Sequence, residues 1–415
     1  PTWNVSGAWN AHEEEWFDKK VGKILSHLTL KASYSLTADR PPVTNALAII
    51  QANTPWRYLT GNTETGLGRT SPANPDLTYE KKHELNLGLD AGFLKNRVNF
   101  SVDWYKRNNY DLVGPISSGG EDGFLSKFGN VAAMKSHGVE LSLSTTNIQT
   151  KDFSWKTNFI YSYIHNEITE LRTRNNMISL ISGVGYARQG YPSRALFSVP
   201  FMGLTSDGLP TFRDQDGNIS VTGVNFQESD PDKLNFLKYE GPTDPTNTGS
   251  LGNVFTYKGL TLNVFITYSF GNVVRLYPAF RSRYSDLSAT PKEFRNRWRQ
   301  PGDEAHTNIP TIATYRQVFE DTYLLRAYNA YNYSDVRTAK GDFIRMKELS
   351  LNYDLPQKLI GHVGLRNASV KLQGTNLFLI YADKKLNGQD PEFFNTGGVA
   401  VPMAKQFTLT LKVGL

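Results

Sequence analysis

The residues able to do covalent chemistry are scattered along this chain. Seven His stand at His12, His27, His83, His137, His165, His306 and His362. None has the His-Glu-x-x-His spacing that sets two imidazoles and a general base on one helical face. No nucleophile elbow, phosphate-binding loop or dinucleotide fingerprint occurs. Without Cys there are no thiolate metal ligands, disulfides or thiol nucleophiles. The best set of alternating oxygen donors is Asp214, Asp216 and Asn218. That spacing suits calcium, but a calcium loop places Gly after the third ligand. Here Gly217 precedes Asn218 and Ile219 follows it, so the stretch reads as a turn. The expectation is no enzyme, no metal and no cofactor.

Residues suited to recognition are more informative. Trp56, Tyr58, Tyr315, Phe319, Tyr323, Tyr328, Tyr331 and Tyr333 lie in segments rich in Gly, Pro, Asn and Asp. Their rings can stack on sugars or serve as apolar shelves for peptides, so they are candidate substrate or lid contacts. A basic stretch holds Arg275, Arg281, Arg283, Lys292, Arg295, Arg297 and Arg299. It could meet lipopolysaccharide phosphates or an acidic partner through charge-assisted bonds. With a formal net charge of only +6 and no phosphate-binding motif, nucleic acid is not an expected partner.

The elements that must position these residues alternate with period two. Leu85, Leu87, Leu89, Ala91 and Phe93 interleave with Asn86, Gly88, Asp90 and Gly92. After Leu94-Lys95-Asn96-Arg97, the residues Val98, Phe100, Val102 and Trp104 interleave with Asn99, Ser101 and Asp103. That pattern predicts a hairpin with one apolar and one polar face. Further strands are predicted at Trp3–Trp9, Leu28–Leu36, Val139–Leu143, Trp155–Tyr163, Leu251–Tyr257, Leu262–Phe270, Phe343–Tyr353, Ala368–Leu372 and Phe407–Leu415, about eleven in all. Short links (10–27, 94–97, 144–154, 258–260, 354–367) alternate with long ones (37–82, 107–135, 166–249, 271–341, 378–405). An up-and-down outer-membrane barrel has this asymmetry, with long extracellular loops. On that reading Trp104, Tyr105, Tyr161, Tyr163, Tyr268 and Phe270 mark the outer interface, and Phe93 and Trp155 the inner one. Glu84, Asp90, Asp103 and Glu140 then face the lumen and pack against a plug.

Several segments resemble the SusC/RagA family of TonB-dependent outer-membrane transporters of Bacteroidetes. They are Asn74-Pro75-Asp76-Leu77-Thr78-Tyr79-Glu80, Asp111-Leu112-Val113, Gly138-Val139-Glu140-Leu141, Phe153-Ser154-Trp155-Lys156-Thr157, Phe343-Ile344-Arg345-Met346-Lys347, Gly374-Thr375-Asn376-Leu377-Phe378 and Gly388-Gln389-Asp390-Pro391-Glu392, with Trp9-Asn10 near the start. Their order and spacing carry the likeness over nearly the whole chain. Two departures stand out. Ser136-His137 occupies the place where the family has Asn before Gly-Val-Glu, and the final residue is Leu415 where an aromatic is usual.

The resemblance implies an all-β transmembrane antiparallel up-and-down barrel. Residues 1–415 are expected to be its C-terminal portion, about half of a barrel of about 22 strands. Signal peptide, TonB box and plug domain are expected to be absent from this chain. Multi-pass localisation in the outer membrane follows. The implied function is active import of oligosaccharides or oligopeptides under a SusD-like lipoprotein lid, energised by TonB through the missing N-terminal region. Lipopolysaccharide and outer-membrane lipid are the surrounding partners.

Composition permits this reading. The mean hydropathy of −0.43 hides a lipid face that polar residues interrupt at every second position. The 7 Trp, 21 Tyr and 23 Phe argue against disorder. No apolar run approaches the roughly 20 residues of a membrane helix. Two rival readings remain at this stage: a surface β-sandwich that captures glycan, and a passive porin.

Overall fold

Period-two alternation becomes a pleated wall. The computed structural model describes residues 2–21, 24–40, 46–58, 61–120, 123–281, 290–393 and 404–414; Arg283 and Leu415 lie outside them. Eleven strands form one sheet whose order follows the chain. They are β1 (Trp3–Asn10), β2 (Leu25–Asp39), β3 (Glu80–Phe93), β4 (Val98–Ser117), β5 (Ser126–Gln149), β6 (Phe153–Leu171), β7 (Asn247–Tyr257), β8 (Leu260–Phe270), β9 (Phe343–Asp354), β10 (Asn367–Ala382) and β11 (Gln406–Gly414). All neighbours are antiparallel.

Register keeps each face chemically uniform. Trp9 lies opposite Leu30, Leu30 opposite Leu89, Leu89 opposite Val102, Val102 opposite Leu141, and Leu141 opposite Tyr161. On the other face Thr29, Asp90, Ser101 and Ser142 stand in one row. A slip of one residue would invert the whole pattern. Among the described residues no second large sheet covers the apolar face, and Leu87 and Leu372 remain 45% and 54% exposed. This removes the sandwich reading, which needs that face dry between two layers.

Two glycines let side chains cross neighbouring strands. A Cβ at Gly138 would collide with the Tyr105 hydroxyl and the Tyr163 carbonyl. A Cβ at Gly249 would collide with the Ile160 carbonyl and with Tyr268, whose hydroxyl donates to that carbonyl at 3.0 Å. The Gly of the Gly138-Val139-Glu140-Leu141 block is therefore a packing requirement.

The link expected over 107–135 is mostly strand. β4 runs to Ser117 and β5 starts at Ser126, leaving 118–125 as the connection. Beyond Trp104 apolar alternation fades, but the backbone ladder continues. It is offset by an irregularity between Asn109 and Leu112, where Asp111 takes φ 59°.

The other long links carry structure of their own. Segments 172–246, 271–281 and 290–342 fold together around Met177, Leu180, Phe197, Phe212, Phe280, Phe294, Leu324 and Tyr331, all buried. Short strands brace them: Ala195–Ser198 pairs with Lys238–Pro242, and Val273–Arg275 with Thr338–Lys340.

Candidate functional site

All the long connections leave the same end of the wall, so whatever the chain recognises from that side meets them first. Their positions are fixed by polar clasps. Asn74 donates from Nδ2 to the Phe128 carbonyl at 2.6 Å. Asn130 accepts from the Thr78 N–H at 2.9 Å and returns a bond to the Thr78 carbonyl at 3.0 Å, as a paired strand residue would. Arg345, 5% exposed, pairs with Asp390 and with Glu392 at 2.9 Å. The block around Arg345 and the block Gly388–Glu392 are thus two halves of one ion pair that ties the final long connection to β9.

Arg275 is the pin of the loop unit. Its Nη1 donates to the Ser334 carbonyl at 2.7 Å. Its Nη2 reaches the Phe197 carbonyl at 2.6 Å and the Ser198 hydroxyl at 3.0 Å. Burial holds its pKa down to about 10, with Glu240 pulling the other way. Burial raises the Glu240 carboxyl above its ordinary range, against the nearby Lys238 charge. Lys238 is raised by its bond to Asp335, 3.0 Å away. Lys238, Glu240, Arg275 and Asp335 thus stitch 195–242 to Arg275 and to the segment 334–337.

This corrects the expectation for the basic stretch. Arg275 belongs to the interior, because carbonyls at strand and turn ends need a multivalent donor there. Arg297 is half-buried on the Phe294 carbonyl. Arg281, Arg295 and Arg299 are exposed, and Arg299 donates to the Arg295 carbonyl at 2.7 Å. Among the described residues, Arg275 is therefore removed from any anion-binding face of the stretch.

The aromatic candidates divide likewise. Trp56 and Tyr58 are 67% and 92% exposed beside a hairpin of Ile49–Asn53 and Gly66–Ser71. Tyr315, Phe319 and Tyr323 are 85%, 74% and 56% exposed. Tyr328 and Tyr331 are core residues instead, 6% and 2% exposed, and Tyr333 packs partly buried against them. The reason is helical: Leu324, Ala327, Tyr328 and Tyr331 recur at i, i+3, i+4 and i+7 along Leu324–Asn332 and give it a buried stripe. That spacing was the available signal. A pocket of about 330 Å³ beside this helix is lined by Phe280, Arg281, Leu325, Arg326 and Tyr328. It offers cationic and apolar surface together.

Asp214, Asp216 and Asn218 form a turn. Asp214 Oδ1 accepts from the N–H groups of Asp216 and Asn218 at 3.0 and 2.9 Å, and Asp216 pairs with Lys233 at 3.2 Å. Asp214 Oδ1 and both Asp216 carboxylate oxygens are thus engaged by the chain itself. On the polar face of the wall, Lys31 pairs with Asp90 at 2.7 Å, and Glu84 pairs with Lys82 and Arg107 at 3.0 and 3.1 Å.

A meander of alternating strands with every long link at one end has a named counterpart. The family described as TonB dependent receptor-like, beta-barrel matches residues 2–277. The chain belongs to that family. The wall is therefore an arc of an outer-membrane TonB-dependent receptor barrel, and its apolar face is the lipid face.

Relatives agree. TonB-dependent receptor P26 of Formosa agariphila is 27% identical over 428 residues, covering 95% of this chain and 39% of the relative. TonB-dependent receptor SusC of Bacteroides thetaiotaomicron is 31% identical over 163 residues, 38% of this chain and 16% of SusC. Among solved structures, the RagAB peptide transporter superposes with a TM-score of 0.77 at 25% identity, covering 99% of this chain and 43% of that one. The 'open-open' state of the RagAB peptide importer gives the same score over 100% and 42%. The chain spans about two-fifths of the length of P26 and of the RagAB chain.

Proposed function

We propose that this chain is the C-terminal part of an outer-membrane active importer of oligopeptides. It works under a SusD-like surface lipoprotein and is energised by TonB acting on a plug held within the complete barrel. The observation that carries the reading is the joining of a lipid-facing wall to a separately cored loop unit at one end. That unit has a buried core of its own and so supplies a platform on which a lid and a cargo can be set. Likeness to a peptide transporter over nearly the whole chain supports peptide as cargo. So does the pocket lined by Phe280, Leu325, Arg326 and Tyr328, where the Arg326 guanidinium beside apolar side chains suits a peptide carboxylate. Trp56, Tyr58, Tyr315, Phe319 and Tyr323 are the proposed aromatic contacts for lid or cargo. Oligosaccharide import is the second reading, the other cargo class that the family resemblance implies.

The test is uptake of fluorescent oligopeptides and oligosaccharides by cells carrying the intact protein, with and without TonB. Peptide uptake that stops without TonB supports the proposal. Uptake that persists makes the protein a passive pore, and uptake of sugar alone shifts the cargo to the second reading.

A further inference from the structure

On the lipid face the apolar rows change character at one level. Continuing toward the long loops, Trp104 is followed by Lys106 on β4, Val139 by His137 on β5, and Tyr163 by His165 on β6. Register sets these three side by side: Lys106 is opposite His137, and His137 opposite His165, with the imidazole rings 5.3 Å apart. Lys135 stands one step further on, opposite Glu167. Lys106, Lys135 and His137 are exposed.

Their lack of ion pairing is informative. On β2, β3 and β4 the polar-face cations Lys31, Lys82 and Arg107 have carboxylate partners, although among the described residues Lys156 on the polar face of β6 has no ion pair. Among the described residues no ion pair holds Lys106 or Lys135. Glu167 is the one carboxylate directly opposite a member of the group, and it makes no ion pair with Lys135.

Depth is also informative. Val98 to Lys106 spans about 27 Å of extended strand. At a tilt of about 40° that is roughly 20 Å along the membrane normal, close to the apolar band of about 25 Å. Lys106 therefore sits at the top of the hydrocarbon, just beyond a Trp at the interface. Below it on the same face lies an open groove of about 690 Å³ lined by Trp9, Leu30, Ala32, Leu87, Val102 and Trp104. Its floor includes Gly7, where an added Cβ would meet nothing within 4 Å.

We propose that this face is a binding site for a phosphorylated outer-leaflet lipid. The headgroup phosphate lies against Lys106, Lys135, His137 and His165, and an acyl chain lies in the groove between Trp9 and Trp104. A free phosphate gains nothing from the groove, and an uncharged lipid gains nothing from the cations. Only a molecule with both parts uses the whole surface. The assignment rests on the apolar face being the lipid face, as the family reading has it.

The experiment uses the intact protein in detergent, with native mass spectrometry reading bound lipid A, dephosphorylated lipid A or inorganic phosphate. The combined variant Lys106→Gln, Lys135→Gln and His137→Gln is expected to lose about tenfold in lipid A affinity, the equivalent of one charge-assisted contact, and to leave the dephosphorylated lipid unaffected. Gly7→Leu fills the groove without a clash and weakens both lipids, an independent arm should the combined variant assemble poorly. Unchanged lipid A binding in both variants overturns the site. Inorganic phosphate that binds as tightly as lipid A overturns the lipid and leaves an anion site. Arg107 points to the opposite face, so loss of lipid on Arg107→Gln, and not on the combined variant, would mean that the facing assignment has failed.

Discussion

The wall and the loop unit solve the same burial problem in different solvents. In the loop unit Ala195, Leu196 and Phe197 are fully buried. In the wall, side chains of the same hydrophobicity, such as Leu87 and Leu372, are about half exposed. The loop unit stands in water, so it gathers a core of its own from two segments far apart in sequence. The wall borrows its core from the bilayer, and closure of its backbone hydrogen bonds is what holds it. The two regions should therefore fail independently and in different assays.

Phe197→Ala should have the largest effect, about 3–5 kcal/mol, and it should fall on the loop unit alone. Limited proteolysis should open 172–246 while heat-modifiable gel mobility of the intact barrel stays unchanged. A barrel that also fails would show that the wall depends on the loop core. Next comes the wall. Val102→Arg places a charge in mid-hydrocarbon at a cost of about 2–4 kcal/mol, whereas Ser101→Arg points to the lumen and should be tolerated. Assembly assays in lipid vesicles compare the two, and equal tolerance would mean that neither face touches lipid. Gly138→Ala should cost about 1–3 kcal/mol through overpacking against Tyr105, seen as a lower unfolding midpoint in urea.

The smallest effect is one of pH, and it belongs to the loop unit. Glu240 titrates above the ordinary 4.5 because it is buried. A raised carboxyl stabilises most fully below that ordinary value, and the contribution is lost as pH rises through the folded-state value. Protease resistance of the loop unit should therefore decline over that rise, and Glu240→Gln should flatten the decline. A slope unchanged in the variant would assign the dependence to another group.

Much of the wall was legible. All eleven strands were readable from apolar alternation, because a face in contact with lipid leaves its period in the sequence. The segment 107–135 did not show its strands because the register is broken between Asn109 and Val113, so apolar residues such as Leu112, Val113 and Ile116 lose period-two spacing before the strands end. The candidate site was less legible. Tyr315 and Tyr331 look alike in a list of loop aromatics, yet one is 85% exposed and the other 2%. Arg275 and Arg295 likewise share a basic stretch, one within the core and one in water.

Local spacing in the sequence by itself marked about eleven strands, the facing of side chains within the alternating stretches and the resemblance to the family. Tertiary structure alone decided that Arg275 is a pin, that Tyr328 and Tyr331 are core, and that Arg345 reaches Asp390. It also decided that Lys106, His137 and His165 stand in one row. Those facts depend on which distant segments meet, and a chain read one window at a time does not carry that information.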